Sequence, residues 1–308
     1  MAQINRRKFL TGAAAAVAVT GLNPLKAVSK VFTTSENKKF KLNYAPHFGM
    51  FKNNAGDDEL AQLDFMAEQG FTAFEDNGMM GRSVDMQEKI AARLQKHDMK
   101  MGVFVAYAEF GEKTFVHNKP ETREMLKKQM NDAVEVAKRV NARWATVVPG
   151  AFENGMEWDY QTANVIENLK WCADICEKSG LIMVLEPLNP WINHPGLFLS
   201  KIPQAYQICK AVNSPSCKIL DDLYHQQVTE GNLIPNIDLA WDEIAYFQMG
   251  DNPGRNEPTT GEINYQNVFK HIHGKGYKGV LGMEHGNSKE GKDGEQAVIA
   301  AYRYCDNF

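Results

Sequence analysis

A chain of 308 residues with 44% hydrophobic and 23% charged residues carries enough apolar material for a large core, which excludes wholesale disorder. Its 34 Lys and Arg against 38 Asp and Glu leave a formal charge of −4, so no global field recruits nucleic acid. Five cysteines are too few and too scattered for a disulfide scaffold; Cys172 and Cys176, at i and i+4, read as a packed pair on one helix face.

The N-terminus reads as an address. Asn5-Arg6-Arg7-Lys8-Phe9-Leu10 sets two adjacent arginines ahead of a small apolar run from Ala13 to Val19, the order of a twin-arginine export signal. That run is shorter than the roughly 18 residues needed to span a bilayer, so export to the periplasm or beyond is expected, without a permanent membrane anchor. Residues 1–33 are assigned to the signal and its linker, with cleavage between Ala27 and Thr34, and residues 34–308 to one catalytic domain.

From Lys39 onward, short β-rich runs alternate with longer amphipathic segments. The expected strands are Lys41–Pro46, Ala73–Asp76, Met101–Ala106, Trp144–Val148, Ile182–Glu186, Lys218–Asp222, Ala245–Met249 and Gly279–Glu284. Between and after them lie expected helices at Asp57–Gln69, Ser83–His97, Glu121–Val140, Thr162–Ser179, Lys201–Val212, Asn232–Trp241, Tyr265–Lys275 and Glu295–Tyr304. Asp57 is placed to cap the first helix, and Gly70, Gly180 and Gly276 to end theirs in the left-handed region. Several strands are nearly all apolar, as parallel strands covered on both faces must be. About 275 residues over eight units gives about 34 per unit, the size of one strand, one helix and their loops in a (β/α)8 TIM barrel. A doubly wound open sheet is the competing fold, but no Gly-rich dinucleotide or phosphate loop follows any strand.

Four successive strands end in an oxygen-bearing side chain: Glu186, Asp222, Gln248 and Glu284, spaced by 36, 26 and 36 residues. In a barrel these ends converge on the catalytic face. Three carboxylates brought together repel one another unless a cation compensates, and a divalent metal is the simplest compensation. Three carboxylates and an amide, without thiolate or imidazole, suit a hard ion such as Mg²⁺ or Mn²⁺.

Two strings are long enough to be specific. Ile219-Leu220-Asp221-Asp222-Leu223-Tyr224-His225-Gln226, and Gln248-Met249-Gly250-Asp251-Asn252-Pro253-Gly254-Arg255-Asn256-Glu257-Pro258 with Thr260-Gly261-Glu262-Ile263-Asn264-Tyr265, resemble the hydroxypyruvate isomerase family. That family lies within the xylose isomerase-like barrels, beside ketose 3-epimerases and endonuclease IV-type proteins. The resemblance implies that Glu186, Asp222, Gln248 and Glu284 hold the metal. It also implies that Glu186 and Glu284 pass the proton through an enediolate, as in the conversion of hydroxypyruvate to tartronate semialdehyde. Asp222 rather than Asp221 matches, because it stands three residues before His225. His225 and Arg255 are then implied as substrate contacts. The chain departs from the family at Asn256, where a His usually follows the Arg, at Thr259, where a Gly is usual, and at His285-Gly286 after Glu284.

The residues leave several roles open. Arg255 can bind a substrate carboxylate through its planar fork, bind a sugar hydroxyl, or pair with Glu257 or Glu262. His225 can orient or protonate a substrate oxygen, or serve as a supporting hydrogen bond. His47 and Glu75 end the first two strands, and Trp191 and His194 follow Glu186, where an aromatic can pack on a sugar face. His271 and His273 sit on a helix and are expected to be exposed. The expected partner is a small hydroxy-carbonyl compound or sugar, and a homo-oligomer is compatible with the barrel. A ketose 3-epimerase on the same site, or an exported sugar-binding barrel without turnover, are the alternatives. An endonuclease IV-type phosphodiesterase would need a His-rich multi-zinc cluster and a basic groove, which the sequence lacks.

Overall fold

Residues 39–308 are described by a computed structural model; the expected export segment, 1–33, lies outside them. The strands are β1 (Asn43–Ala45), β2 (Ala73–Phe74), β3 (Lys100–Met101), β4 (Val105–Glu109), β5 (Trp144–Pro149), β6 (Ile182–Leu185), β7 (Cys217–Asp222), β8 (Ile244–Gln248) and β9 (Val280–Gly282). The helices are α1 (Lys52–Ala55), α2 (Glu59–Glu68), α3 (Val84–Lys96), α4 (Pro120–Val140), α5 (Trp158–Glu177), α6 (Ile202–Val212), α7 (Leu223–Thr229), α8 (Leu233–Ala240), α9 (Tyr265–Gly274) and α10 (Gly291–Cys305). No helix among the described residues is long and apolar enough to cross a membrane.

Each expected strand and helix is present, with shifted ends. The strand expected at Met101–Ala106 is split into β3 and β4, which follow one another along a single stave. Two helices were not expected: α1 and α7, at four and seven residues, are too short to show an apolar period. The cap of α2 is Asp58, not Asp57: its carboxylate accepts the Leu60 N–H at 2.9 Å, while Gly56 and Asp57 belong to the turn leaving α1. Helix α5 starts at Trp158, one turn earlier than expected, because its buried stripe begins only at Gln161. Gly70, Gly180 and Gly276 take positive φ beside their helix ends, as expected.

The strands run parallel in the order β1-β9-β8-β7-β6-β5-β4, and β2 pairs with β3. Main-chain bonds close the circle: Glu75 N–H reaches Pro46 O at 3.1 Å, and Asp76 N–H reaches Val103 O at 3.2 Å. Counting β3 and β4 as one stave gives eight, the (β/α)8 barrel.

One interior layer identifies the inward face of every stave. Ala45, Ala73, Val103, Trp144, Val184, Leu220, Tyr246 and Val280 form a buried cluster, one residue from each of the eight. A larger apolar cluster, including Leu63, Leu169, Ile208, Phe269 and Tyr302, fills the space between barrel and helices. Because strand side chains alternate, stepping two residues from the inner layer reaches the next inward positions. From Ala73, Val184, Leu220 and Tyr246 that step lands on Glu75, Glu186, Asp222 and Gln248, and from Val280 on Gly282 and then Glu284. Asp221 points to the opposite face, and burial beside Asp222 pushes its carboxyl up to about 8.

Gly282 leaves room for Glu75: a Cβ there would fall 2.6 Å from the Glu75 carboxyl carbon. Gly282→Ala is therefore expected to displace Glu75 and cost about 1–3 kcal/mol, as overpacking does. Urea unfolding checks this, and an unchanged midpoint would show that the Glu75 side chain has another place to go.

Candidate active site

Local chemistry aims each carboxylate. Pro187 restricts Glu186 to an extended backbone, which continues the inward direction of β6 for one residue. Asp222 ends β7 and caps α7: its Oδ1 accepts the Tyr224 N–H at 2.9 Å, so Oδ2 is left facing inward. Glu284 Oε1 accepts from Asn77 Nδ2 at 3.0 Å, and its Oε2 accepts from Arg255 Nη2 at 2.8 Å. Ligand atoms of Glu186, Asp222, His225 and Glu284 all lie within 4.8 Å of one another.

Burial and like charge dominate this cluster. At that separation each pair of ionised carboxylates repels by about 3 kcal/mol at an effective dielectric of about 20. Glu186 is held well above the usual carboxylate range by burial first, then by Glu284 and Asp222. Burial pushes Glu284 up to about 7, although Arg255 opposes the shift. The Arg255 guanidinium lies 3.4 Å from Asp222 Oδ2 and 5.0 Å from the centre of the Tyr224 ring, and its Nε is buried without a hydrogen-bond partner. The pairings weighed for it with Glu257 and Glu262 do not form. Glu257 binds Ser288 and Glu262 binds Asn252 and Gln227, because the loop after β8 folds around Asp251 and turns Arg255 toward the barrel axis. The Asp251 carboxylate accepts from the N–H groups of Asn252, Gly261 and Ile263 at 2.8–3.0 Å.

Gln248 ends β8 opposite Asp222 in register. Its Nε2 lies 3.3 and 3.4 Å from the two Glu75 oxygens, while its Oε1 is buried and has no partner. An orphaned amide oxygen on the strand beside Asp222, together with three crowded carboxylates, is a donor set that suits a hard divalent cation, so the side chains present fit such an ion. Glu75 is in turn held by the Tyr246 hydroxyl at 2.9 Å.

Two expected contacts make no hydrogen bond to the carboxylates. Trp191 is 73% exposed. His47 places Nδ1 2.8 Å from Phe48 O and Nε2 3.3 Å from His285 O, so both ring nitrogens already face main-chain carbonyls. His194 lies between Phe110 and His225, at ring-centre distances of 5.2 and 5.4 Å. His271 is half-buried against Asp238, and His273 is exposed. Asn77 and Asn189 escaped sequence reasoning; their one signal is a short amide within three residues of a strand-end carboxylate.

The profile described as Xylose isomerase-like TIM barrel matches residues 63–307. The chain belongs to that family. It is 31% identical over 166 residues to the hydroxypyruvate isomerase of Escherichia coli, covering 54% of this chain and 64% of that protein. It is 28% identical over 211 residues to the 2-oxo-tetronate isomerase of Pectobacterium atrosepticum, covering 67% and 79%. The match to the first of these spans less than two thirds of its length. Among solved structures, the AP endonuclease, family 2, of Brucella melitensis superposes with a TM-score of 0.71 at 22% identity, covering 85% of this chain and 97% of that one. At that identity the likeness is one of fold. The barrel of this family accounts for the convergence of the strand-end side chains.

The raised carboxyls predict a pH-dependent response to cations. A folded pKa above the unfolded value contributes stability that is complete below about pH 4 and lost as pH rises through about 7. The cation-free protein is thus expected to lose this contribution between about pH 5 and about pH 8. Mn²⁺ should raise the unfolding temperature more at the higher pH, because protons no longer compete for the carboxylates. Differential scanning fluorimetry with EDTA and with Mn²⁺ checks this; equal gains at both pH values would mean that the cluster does not hold the ion.

Proposed function

We propose that the chain is an isomerase of small α-hydroxy carbonyl compounds, dependent on Mg²⁺ or Mn²⁺ held by Glu186, Asp222, Gln248 and Glu284. Hydroxypyruvate and 2-oxo-tetronate are the first substrates to test, since the proteins resembled are described as acting on them. The observation that carries the reading is the convergence of Glu186 and Glu284, both with raised proton affinity, beside one guanidinium. Three carboxylates and an amide favour a hard ion over zinc. The twin-arginine motif at Arg6-Arg7 is what supports a reaction outside the cytoplasm.

The chemistry follows from the side chains. The substrate's C–H next to the carbonyl is too weakly acidic to leave in neutral water without help. Glu186 accepts that proton and Glu284 delivers one to the neighbouring carbon, while the hydroxyl proton of the first carbon passes to the former carbonyl oxygen; an aldose and a ketose interconvert, and exchange with solvent returns Glu186 to the carboxylate and Glu284 to the acid. A bound divalent cation would supply Lewis-acid stabilisation of the charge that develops on the substrate oxygens. Arg255 presents Nη donors to a substrate carboxylate or hydroxyl at the mouth of the same site. Return of the proton to the original carbon from the opposite face gives 3-epimerisation of a ketose instead, and the placement of Glu186 just after β6 and Glu284 just after β9, strands that are not neighbours, supports that second reading.

Glu186→Gln and Glu284→Gln are each expected to lower exchange of the substrate α-proton with D₂O by about 10²–10⁴-fold in the Mn²⁺-loaded protein. NMR against hydroxypyruvate and a panel of ketoses reads both the exchange and the product. Exchange retained in both variants removes the proposed pair, and no exchange in the parent protein leaves the sugar-binding reading. Arg255→Lys keeps the charge and loses the fork. It should raise KM for carboxylate substrates about 10–100-fold, the size of a charge-assisted hydrogen bond, and affect neutral ketoses less. Equal losses for both classes would make Arg255 a support for Glu284 alone.

A further inference from the structure

His225 is wholly buried, and its Nε2 lies 3.6 Å from Asp222 Oδ2 without a hydrogen-bond partner. By position alone it could join the carboxylates around a cation. Its other nitrogen argues otherwise. The Asn189 main-chain N–H points at His225 Nδ1 from 3.3 Å, and a main-chain N–H can only donate. The Asn189 side chain adds a second donor. Its Oδ1 is occupied by the N–H groups of Ile192 and Asn193 at 3.1 and 3.2 Å, which fixes the amide orientation. Its Nδ2 therefore faces outward, giving one hydrogen to Asn193 Oδ1 at 2.8 Å and the other to His225 Nδ1 at 2.6 Å. Two donors converging on Nδ1 leave no place for a proton there, so the ring proton sits on Nε2.

We infer that Asn189 is a positioning residue: it locks His225 in the Nε2–H tautomer, which keeps the imidazole from ligating the cation and makes it a hydrogen-bond donor to a substrate oxygen. The inference deepens the isomerase reading and rests on it for the identity of the acceptor. The tautomer itself does not depend on turnover. A nitrogen bearing a hydrogen has no lone pair in the ring plane to offer a metal, so Gln248 Oε1 is left to complete the donor set with the three carboxylates. The same Nε2–H can follow an oxygen whose charge grows during proton transfer, as a fixed donor does.

Long-range ¹H–¹⁵N spectra of the full chain labelled at histidine, with the His225 signals assigned by their loss in His225→Gln, read the tautomer directly. The expected result is an unprotonated Nδ1 and a protonated Nε2. A protonated Nδ1 in the parent protein overturns the inference, whether or not any substrate turns over. In Asn189→Leu the signals should move toward a mixture of tautomers, and α-proton exchange should fall about 10–100-fold, the usual effect of losing an outer-shell partner. Mn²⁺ affinity measured by calorimetry should not fall, since the freed ring can only add a donor; an affinity loss of that same size would make His225 a ligand in the parent protein and overturn the proposal. Should the parent protein exchange no substrate, the isomerase reading fails while the parent spectrum still decides the tautomer.

Discussion

Repulsion among Glu186, Asp222 and Glu284 is the constraint around which the rest of the barrel is arranged. Their oxygens lie within 4.8 Å of one another, and one guanidinium offsets only part of the charge. Asp222 ties Oδ1 to a main-chain N–H, and Glu284 ties Oε1 to an asparagine, so each keeps a second oxygen for the centre. Such an arrangement carries an electrostatic cost in the folded state that a bound divalent cation would offset. The closed ring of eight staves supplies the rigidity that holds the groups together against that repulsion.

Buried carboxylates away from the centre serve a different end. Asp251 gathers three N–H groups of the loop that carries Arg255. Glu295, on α10, accepts main-chain and side-chain donors of Asn53 and Asn54, pinning the short helix α1 that follows β1. Glu257 binds the main chain and hydroxyl of Ser288 in the loop after β9. Each ties main-chain N–H groups of one connecting segment to a buried carboxylate, and so makes the rim stiff enough to present side chains at fixed distances.

Isomerisation and epimerisation share their first half, removal of a proton next to a carbonyl. The outcome depends on where the returning acid stands relative to the substrate carbons, which a few loop residues control. This is the physical reason that one family of barrels supports several products, and why family membership alone does not name the substrate.

Strand-end positions were readable in the amino-acid order because a strand has a period of two and the apolar run before each carboxylate marks its direction. Glu186, Asp222, Gln248 and Glu284 follow from that pattern, as do the eight alternating units. Asp58 in place of Asp57, and the short helices α1 and α7, lie below the resolution of periodicity, since a cap is decided by one turn of backbone. The partners of Arg255, the Glu75 that turns the Gln248 amide, and the Asn189 that sets the ring proton of His225 were decided only in three dimensions. Each pairs residues 29 to 173 positions apart, and such pairings depend on how loops from different staves meet at the barrel mouth.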